Sequence, residues 1–145
     1  MTTPNYLPGA SERANEQVAL YEATDGREGA TMRGMPVVIV THTGRKTGGI
    51  RKTPLMRVAD GPDNYVIVAS LGGAPKHPVW YYNLVEAPNV TLRDGAKVVD
   101  MHATLVEDPA ERARLWALAC DAYPDYAAYQ QRTDRVIPVF HLTPR

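Results

Sequence analysis

Between Glu28 and Asp60 the 145-residue chain carries no acidic residue, yet Arg33, Arg45, Lys46, Arg51, Lys52 and Arg57 all fall there. The tip of this stretch, TGRKTG at residues 43–48, is bounded by glycines. Such a loop exposes backbone N–H groups while arginine supplies forked donors, the combination that holds phosphate and carboxylate oxygens. The plainer alternative is a solvated hairpin tip. Against it stands the sorting of charge, because Glu107, Asp108, Glu111, Asp121, Asp125 and Asp134 gather in the C-terminal third, whereas a merely soluble surface mixes its signs. The loop is no nucleotide P-loop, since its lysine lacks the preceding GxxxxG and the strand-to-helix setting.

Two aromatic stretches follow. In ASLGGAPKHPVWYYNL (residues 69–84), Ser70 and two glycines precede Trp80, Tyr81, Tyr82 and Asn83. Small residues, free amides and aromatic faces together suit a flat polar ring; the alternative is a tight turn with its aromatics, Trp80 first, in the core. In YPDYAAYQQRTDR (residues 123–135), Tyr123, Tyr126 and Tyr129 recur every third residue, which on a helix places three phenols on one face. GxSxG is absent and His77 has no evident orienting acid, so nucleophilic hydrolysis is unsupported. His42, His77, His102 and His141 are too scattered for a metal site, and the lone Cys120 reads as a small hydrophobe. For redox chemistry, a bound organic cofactor must hold the electrons.

The elements that position these residues follow from pattern. Ser11 caps a first helix running to about Thr24, with Val18, Ala19 and Tyr21 as its buried positions. Strands are expected at 35–43 and 50–59, joined as a hairpin, then at 65–70, 89–92, 97–106 and 136–142. Pro138 predicts that the last strand is an edge or is interrupted. Pro78 opens a short helix over 79–86, and Asp108-Pro109 with Glu111 opens another to about 122. About six antiparallel strands with helical decoration make a mainly β, α+β chain built as a small barrel. An N-terminal helix and loop, 1–33, precedes a barrel region, 34–145, within one structural domain.

Sixteen basic and sixteen acidic residues cancel, which argues against bulk electrostatic coating of nucleic acid. No stretch reaches the roughly 18 apolar residues of a membrane span, no signal peptide is evident, and one cysteine excludes an internal disulfide; the cytoplasm is the expected location.

MPVVIVTHTGRKTGGIRKTPL, VIVASLGGAPKHPVWYYNLVEAPNV and YPDYAAYQQRTDRVIPV, in that order, resemble the deazaflavin-dependent nitroreductase family of actinobacteria, F420H2-dependent quinone and nitro reductases. The resemblance covers about residues 34–140. It implies a split β-barrel of the FMN-binding type holding coenzyme F420, with FMN the less favoured cofactor and no metal. It places the coenzyme's anionic tail at Arg45, Lys46, Thr47, Arg51, Lys52 and Thr53. Ring and linker contacts fall at Val68, Ala69, Ser70, Val79, Trp80, Tyr81, Tyr82 and Asn83, and Tyr126 stands beside cofactor and substrate. Ser70 would polarise ring or acceptor, and Tyr126 with Tyr123 and Tyr129 would donate the balancing proton. The implied reaction is hydride transfer to a quinone, an activated alkene or a nitroaromatic, by a protein that could form a homodimer and lie at the inner face of the membrane. A non-catalytic F420 carrier is the alternative from another class. Leu71 and Met56 stand where the family's nitroreductase has lysine and tyrosine, so its acceptor range is not carried over.

Overall fold

The computed structural model describes residues 6–145; the first five residues of the expected N-terminal segment lie outside them. Helix α1 (Glu12–Ala23) starts where the Ser11 hydroxyl accepts the N–H of Ala14 at 3.2 Å. It buries Val18 and Tyr21 against Val37 and Ile39. Ala19 is exposed, because the i, i+3 stripe through Val18 and Tyr21 leaves the next residue about 100° round the helix. The Tyr21 hydroxyl accepts the N–H of Gly95 at 2.7 Å and donates to the Val37 carbonyl at 3.2 Å, which ties the helix to the sheet.

The strands are β1 (Thr31–Met32), β2 (Met35–Thr43), β3 (Ile50–Met56), β4 (Ala59–Asp60), β5 (Asn64–Val68), β6 (Asn89–Asp94), β7 (Lys97–Leu105) and β8 (Val139–Pro144). Every pairing between these strands is antiparallel. The sheet runs β1-β2-β6-β7-β8-β5-β4, with β3 also on β2, and curls into a half-barrel. Two of the eight strands are two-residue pieces: β1 is not among the expected six, and β4 begins at the end of the strand expected over 50–59. The single strand expected over 50–59 breaks at residues 57–58 for a visible reason: the Arg57 N–H still bonds the Pro36 carbonyl of β2, while the Val58 carbonyl already accepts from Val66 of β5. The chain turns the barrel corner there.

Strand β8 lies between β7 and β5, so it is not an edge. Pro138 sits one residue before it, where a missing N–H costs no ladder bond, and its carbonyl accepts from Ala69. Along β7, Met101 and Ala103 are buried while Val98, Asp100, His102 and Thr104 are exposed, the expected alternation. One core packs Val38, Val40, Leu92, Met101, Phe140 and Leu142 beneath Trp80 and Leu84 of helix α2 (Val79–Glu86). The other joins Val66, Val68 and Val139 to helices α3 (Pro109–Ala122) and α4 (Asp125–Gln131). Asp108 caps α3 by accepting the Glu111 N–H at 2.9 Å. Among the described residues no helix is long and apolar enough to cross a membrane.

Candidate active site

The tip of the β2–β3 hairpin, the segment from Ser70 to α2, and Tyr123 with the two tyrosines of α4 enclose a cavity of about 980 Å³, at the upper end of the range for small-molecule sites. The tip closes through Gly44 N–H to the Gly49 carbonyl and Gly48 N–H to the Gly44 carbonyl, both 2.8 Å. Gly48 holds φ +70° there, a conformation that suits a residue without Cβ. Arg33, Arg45, Lys46, Arg51 and Lys76 line the cavity, and no Asp or Glu does. None of the five has a carboxylate partner among the described residues, whereas Arg57, Arg93 and Arg114 are paired with Asp94, Asp25 and Asp60. Arg45 lies over the Tyr82 ring at 5.0 Å, and Arg51 donates to the carbonyls of Leu7 and Pro8.

A buried polar chain underlies the hairpin tip. The Arg45 backbone N–H donates to Asn83 Oδ1 at 2.9 Å, Asn83 Nδ2 lies 3.2 Å from His42 Nδ1, and His42 Nε2 lies 2.9 Å from the Thr53 hydroxyl. Burial first, and the Arg51 charge second, push His42 down to about 4, so the ring is neutral at physiological pH.

Ser70, Trp80, Tyr123, Tyr126 and Tyr129 also line the cavity. The Tyr123 and Tyr129 hydroxyls bond each other at 2.8 Å. The hydroxyls of Ser70 and Tyr126 have no hydrogen-bond partner among the described residues, and neither is sealed from solvent, since no buried side-chain polar atom lacks a partner. Both therefore open onto the cavity with donor and acceptor capacity uncommitted. Burial above all raises the Tyr126 phenol, with its tyrosine neighbours adding; burial and the bond to Tyr129 raise Tyr123. Both keep their protons at neutral pH.

Arg135 fixes the serine side. Its guanidinium donates to the carbonyls of Ser70 (2.7 Å), Ala69 (3.1 Å) and Ala74 (2.8 Å) and to His77 Nδ1 (3.0 Å). Gly73, at φ +81°, packs so closely on α4 that a Cβ would stand 2.5 Å from the Tyr129 carbonyl oxygen.

Most residues singled out in the sequence converge here: Arg45, Lys46, Thr47, Arg51, Thr53, Val68, Ser70, Val79, Trp80, Tyr82, Asn83, Tyr123, Tyr126 and Tyr129 all line the cavity. Three do not. Lys52 points to the other side of β3, where Glu22 of α1 binds it at 2.8 Å, because the pleat sends it opposite to Arg51 and Thr53. Ala69 is fully buried in the core, and Tyr81 turns to pack on His77 and Phe140. Trp80 serves both readings, packing on Phe140 while lining the cavity. The three tyrosines meet, though not on one helix: Tyr123 is the extended residue ending α3, and only Tyr126 and Tyr129 belong to α4. Arg33, Leu55, Lys76 and His77 line the cavity without having been assigned to it. Arg33 and Lys76 carried a signal, the first lying inside the acid-free stretch and the second just after the Gly72-Gly73 pair; His42 and Arg135 carried none, since their partners are distant in sequence.

Cations without carboxylates, aromatic rings and open hydroxyls in one cavity fit a ligand with an anionic tail and a flat, redox-active ring, such as F420. Similarity to known proteins agrees. An F420H(2)-dependent quinone reductase of Mycobacterium tuberculosis is 43% identical over 131 residues, 88% of this chain and 87% of that protein. A solved F420-H2 dependent reductase, FDR-A, is 50% identical over 74% of this chain and 93% of that one, with a TM-score of 0.69. A structure described as a domain-swapped dimer is 44% identical, with a TM-score of 0.72 over 88% of this chain and 95% of that one. At 14% identity and a TM-score of 0.51, covering 92% of this chain and 94% of the other, a Listeria innocua protein described as a pyridoxamine 5′-phosphate oxidase shares the fold. The curled sheet is thus that of the split-barrel proteins. The family model for F420H(2)-dependent quinone reductase matches residues 13–144, and with 43% identity to a mycobacterial member the chain belongs to that family.

Proposed function

We propose that this protein binds reduced coenzyme F420 in the cavity and reduces an electron-poor acceptor there, a quinone foremost, with activated alkenes and nitroaromatics of the same chemical class. The observation that carries this reading is the lining of one cavity: five cations and no carboxylate, with Arg45 and Lys46 on the hairpin tip and Arg51 on β3, together with two uncommitted hydroxyls. When bound, the reduced deazaflavin supplies a hydride, two electrons with one proton. The protein's share is to hold, orient and protonate.

Arg45, Lys46 and Arg51, with the Thr47 and Thr53 hydroxyls, hold the anionic tail. Val68, Val79, Trp80, Tyr82 and Asn83 border ring and linker, and Ser70 orients ring or acceptor through its free hydroxyl. Tyr126 keeps its proton until negative charge develops on an acceptor oxygen beside it, then delivers it; Tyr123 and Tyr129 hold its ring by edge-on contacts at 5.0 and 6.2 Å. Lys52, bound to Glu22, has no part in the tail site. The likeness to the domain-swapped dimer supports a homodimer, which light scattering would test.

Anaerobic mixing of F420H2 with a quinone should restore the absorbance of oxidised F420 in proportion to quinone consumed. Tight F420 binding without turnover on quinones, enones and nitro compounds would instead make the protein a carrier. Purification with bound flavin and indifference to F420 would overturn the cofactor assignment.

A further inference from the structure

The buried chain beneath the hairpin tip has only one consistent arrangement of its hydrogens. The Arg45 backbone N–H can only donate, so Asn83 must present Oδ1 to it at 2.9 Å. The amide is thereby oriented, and its Nδ2–H donates to His42 Nδ1 across 3.2 Å. A neutral imidazole that accepts at Nδ1 carries its hydrogen on Nε2, and that hydrogen goes to the Thr53 oxygen 2.9 Å away. The reverse tautomer would set Nδ1–H against the Asn83 amide hydrogens. With its oxygen engaged as acceptor, the Thr53 hydroxyl has its own hydrogen left to give, and Thr53 lines the cavity beside Arg51.

We propose that His42 is a positioning residue that, through Asn83 and Thr53, commits the Thr53 hydroxyl to donate a hydrogen bond to an anionic oxygen of the bound cofactor. The same chain fastens the hairpin tip, at Arg45, to α2, the helix bearing Trp80 and Tyr82. His42 is not a catalytic residue; it touches neither ring nor tail. The charged group facing it is Arg51, its cross-strand partner on β3, while α2 meets it with the uncharged Asn83. Burial keeps the ring neutral well below neutral pH. The identity of the ligand oxygen rests on the function proposed above; the hydrogen arrangement does not.

Two measurements separate these levels. In ligand-free protein with ¹⁵N-labelled imidazoles, long-range ¹H–¹⁵N spectra near pH 7.5 and pH 5.5 should show His42 neutral with its hydrogen on Nε2 at both values. A hydrogen on Nδ1, or protonation by the lower pH, overturns the arrangement. Fluorescence titration with F420 then tests its use. His42→Phe and Thr53→Val should each weaken binding about tenfold, and the double variant should lose less than about twofold more than Thr53→Val alone. Wild-type affinity in His42→Phe, or fully additive losses, overturns the proposal. Should His42→Phe not fold, the Thr53 variants decide it: Thr53→Ser keeps wild-type affinity and Thr53→Val does not, and equal affinities overturn it. Failure of the wild type to bind F420 would instead sink the functional reading, leaving the spectra to judge the hydrogen chain.

Discussion

Tyr126 and Arg45 line the same cavity and should fail in opposite ways. Tyr126→Phe removes only an oxygen whose hydrogen is uncommitted, so kcat should fall on the order of 100-fold, as for loss of a general acid, with F420 affinity little changed. Arg45→Ala should weaken F420 binding about tenfold while turnover at saturating cofactor stays within about twofold, the pattern expected when a uniformly binding charge is removed. Steady-state kinetics over a range of F420H2 concentrations distinguishes the two; a kcat effect confined to Arg45→Ala would exchange their roles. His42 adds a pH dependence of a definite sign. Its folded value, about 4 against an ordinary 6.5, means that the unfolded chain takes up a proton between those limits and the folded chain does not. The stability contribution is therefore whole above about pH 6.5 and lost as pH falls toward 4. Urea melts should show about 2 kcal/mol less stability near pH 5 than near pH 7.5 from this group, a slope that disappears in His42→Phe.

At the level of elements, the hairpin, α2 and α3 were legible because each is bounded by local chemistry: glycines around the tip, Pro78 before α2, the Asp108 cap before α3. What could not be read were choices made by distant partners. The 50–59 segment divides because β2 and β5 each claim part of it, and β8 is central because its proline falls just outside the ladder. Period-two alternation alone could have separated Lys52 from Arg51. The candidate site was legible as three motifs but not as one cavity, since their convergence depends on Arg135 reaching the Ser70–Ala74 carbonyls and on α4 packing over Gly73. Gly73→Ala tests that junction. A methyl group at φ +81° and 2.5 Å from the Tyr129 carbonyl oxygen should destabilise the fold by about 2 kcal/mol or more, measured by chemical denaturation; an unchanged midpoint would show that the loop and α4 are not locked together.

For the whole molecule, a formal charge of zero conceals a sorted field. Five cations line one cavity that no carboxylate lines, while Arg57, Arg93, Arg114 and Arg145 pair with carboxylates elsewhere, so an anionic ligand meets a local attraction that the net charge does not report. F420 affinity should accordingly fall as salt is raised from about 0.05 M to 0.5 M, while unfolding free energy changes far less, because exposed charges are screened and cores are not. Titrations at several salt concentrations check this, and a flat dependence would mean that ring contacts alone hold the cofactor.

One wall of the cavity comes from residues 44–56 and another from residues 123–129, separated by most of the barrel. A chain still emerging from the ribosome can complete the first without possessing the second, so no partial product has a pocket to fill. Any molecule that fits there rewards only finished folding: the melting temperature should climb with the logarithm of F420 concentration once the site saturates, making the coenzyme a gauge of how much of the population is whole.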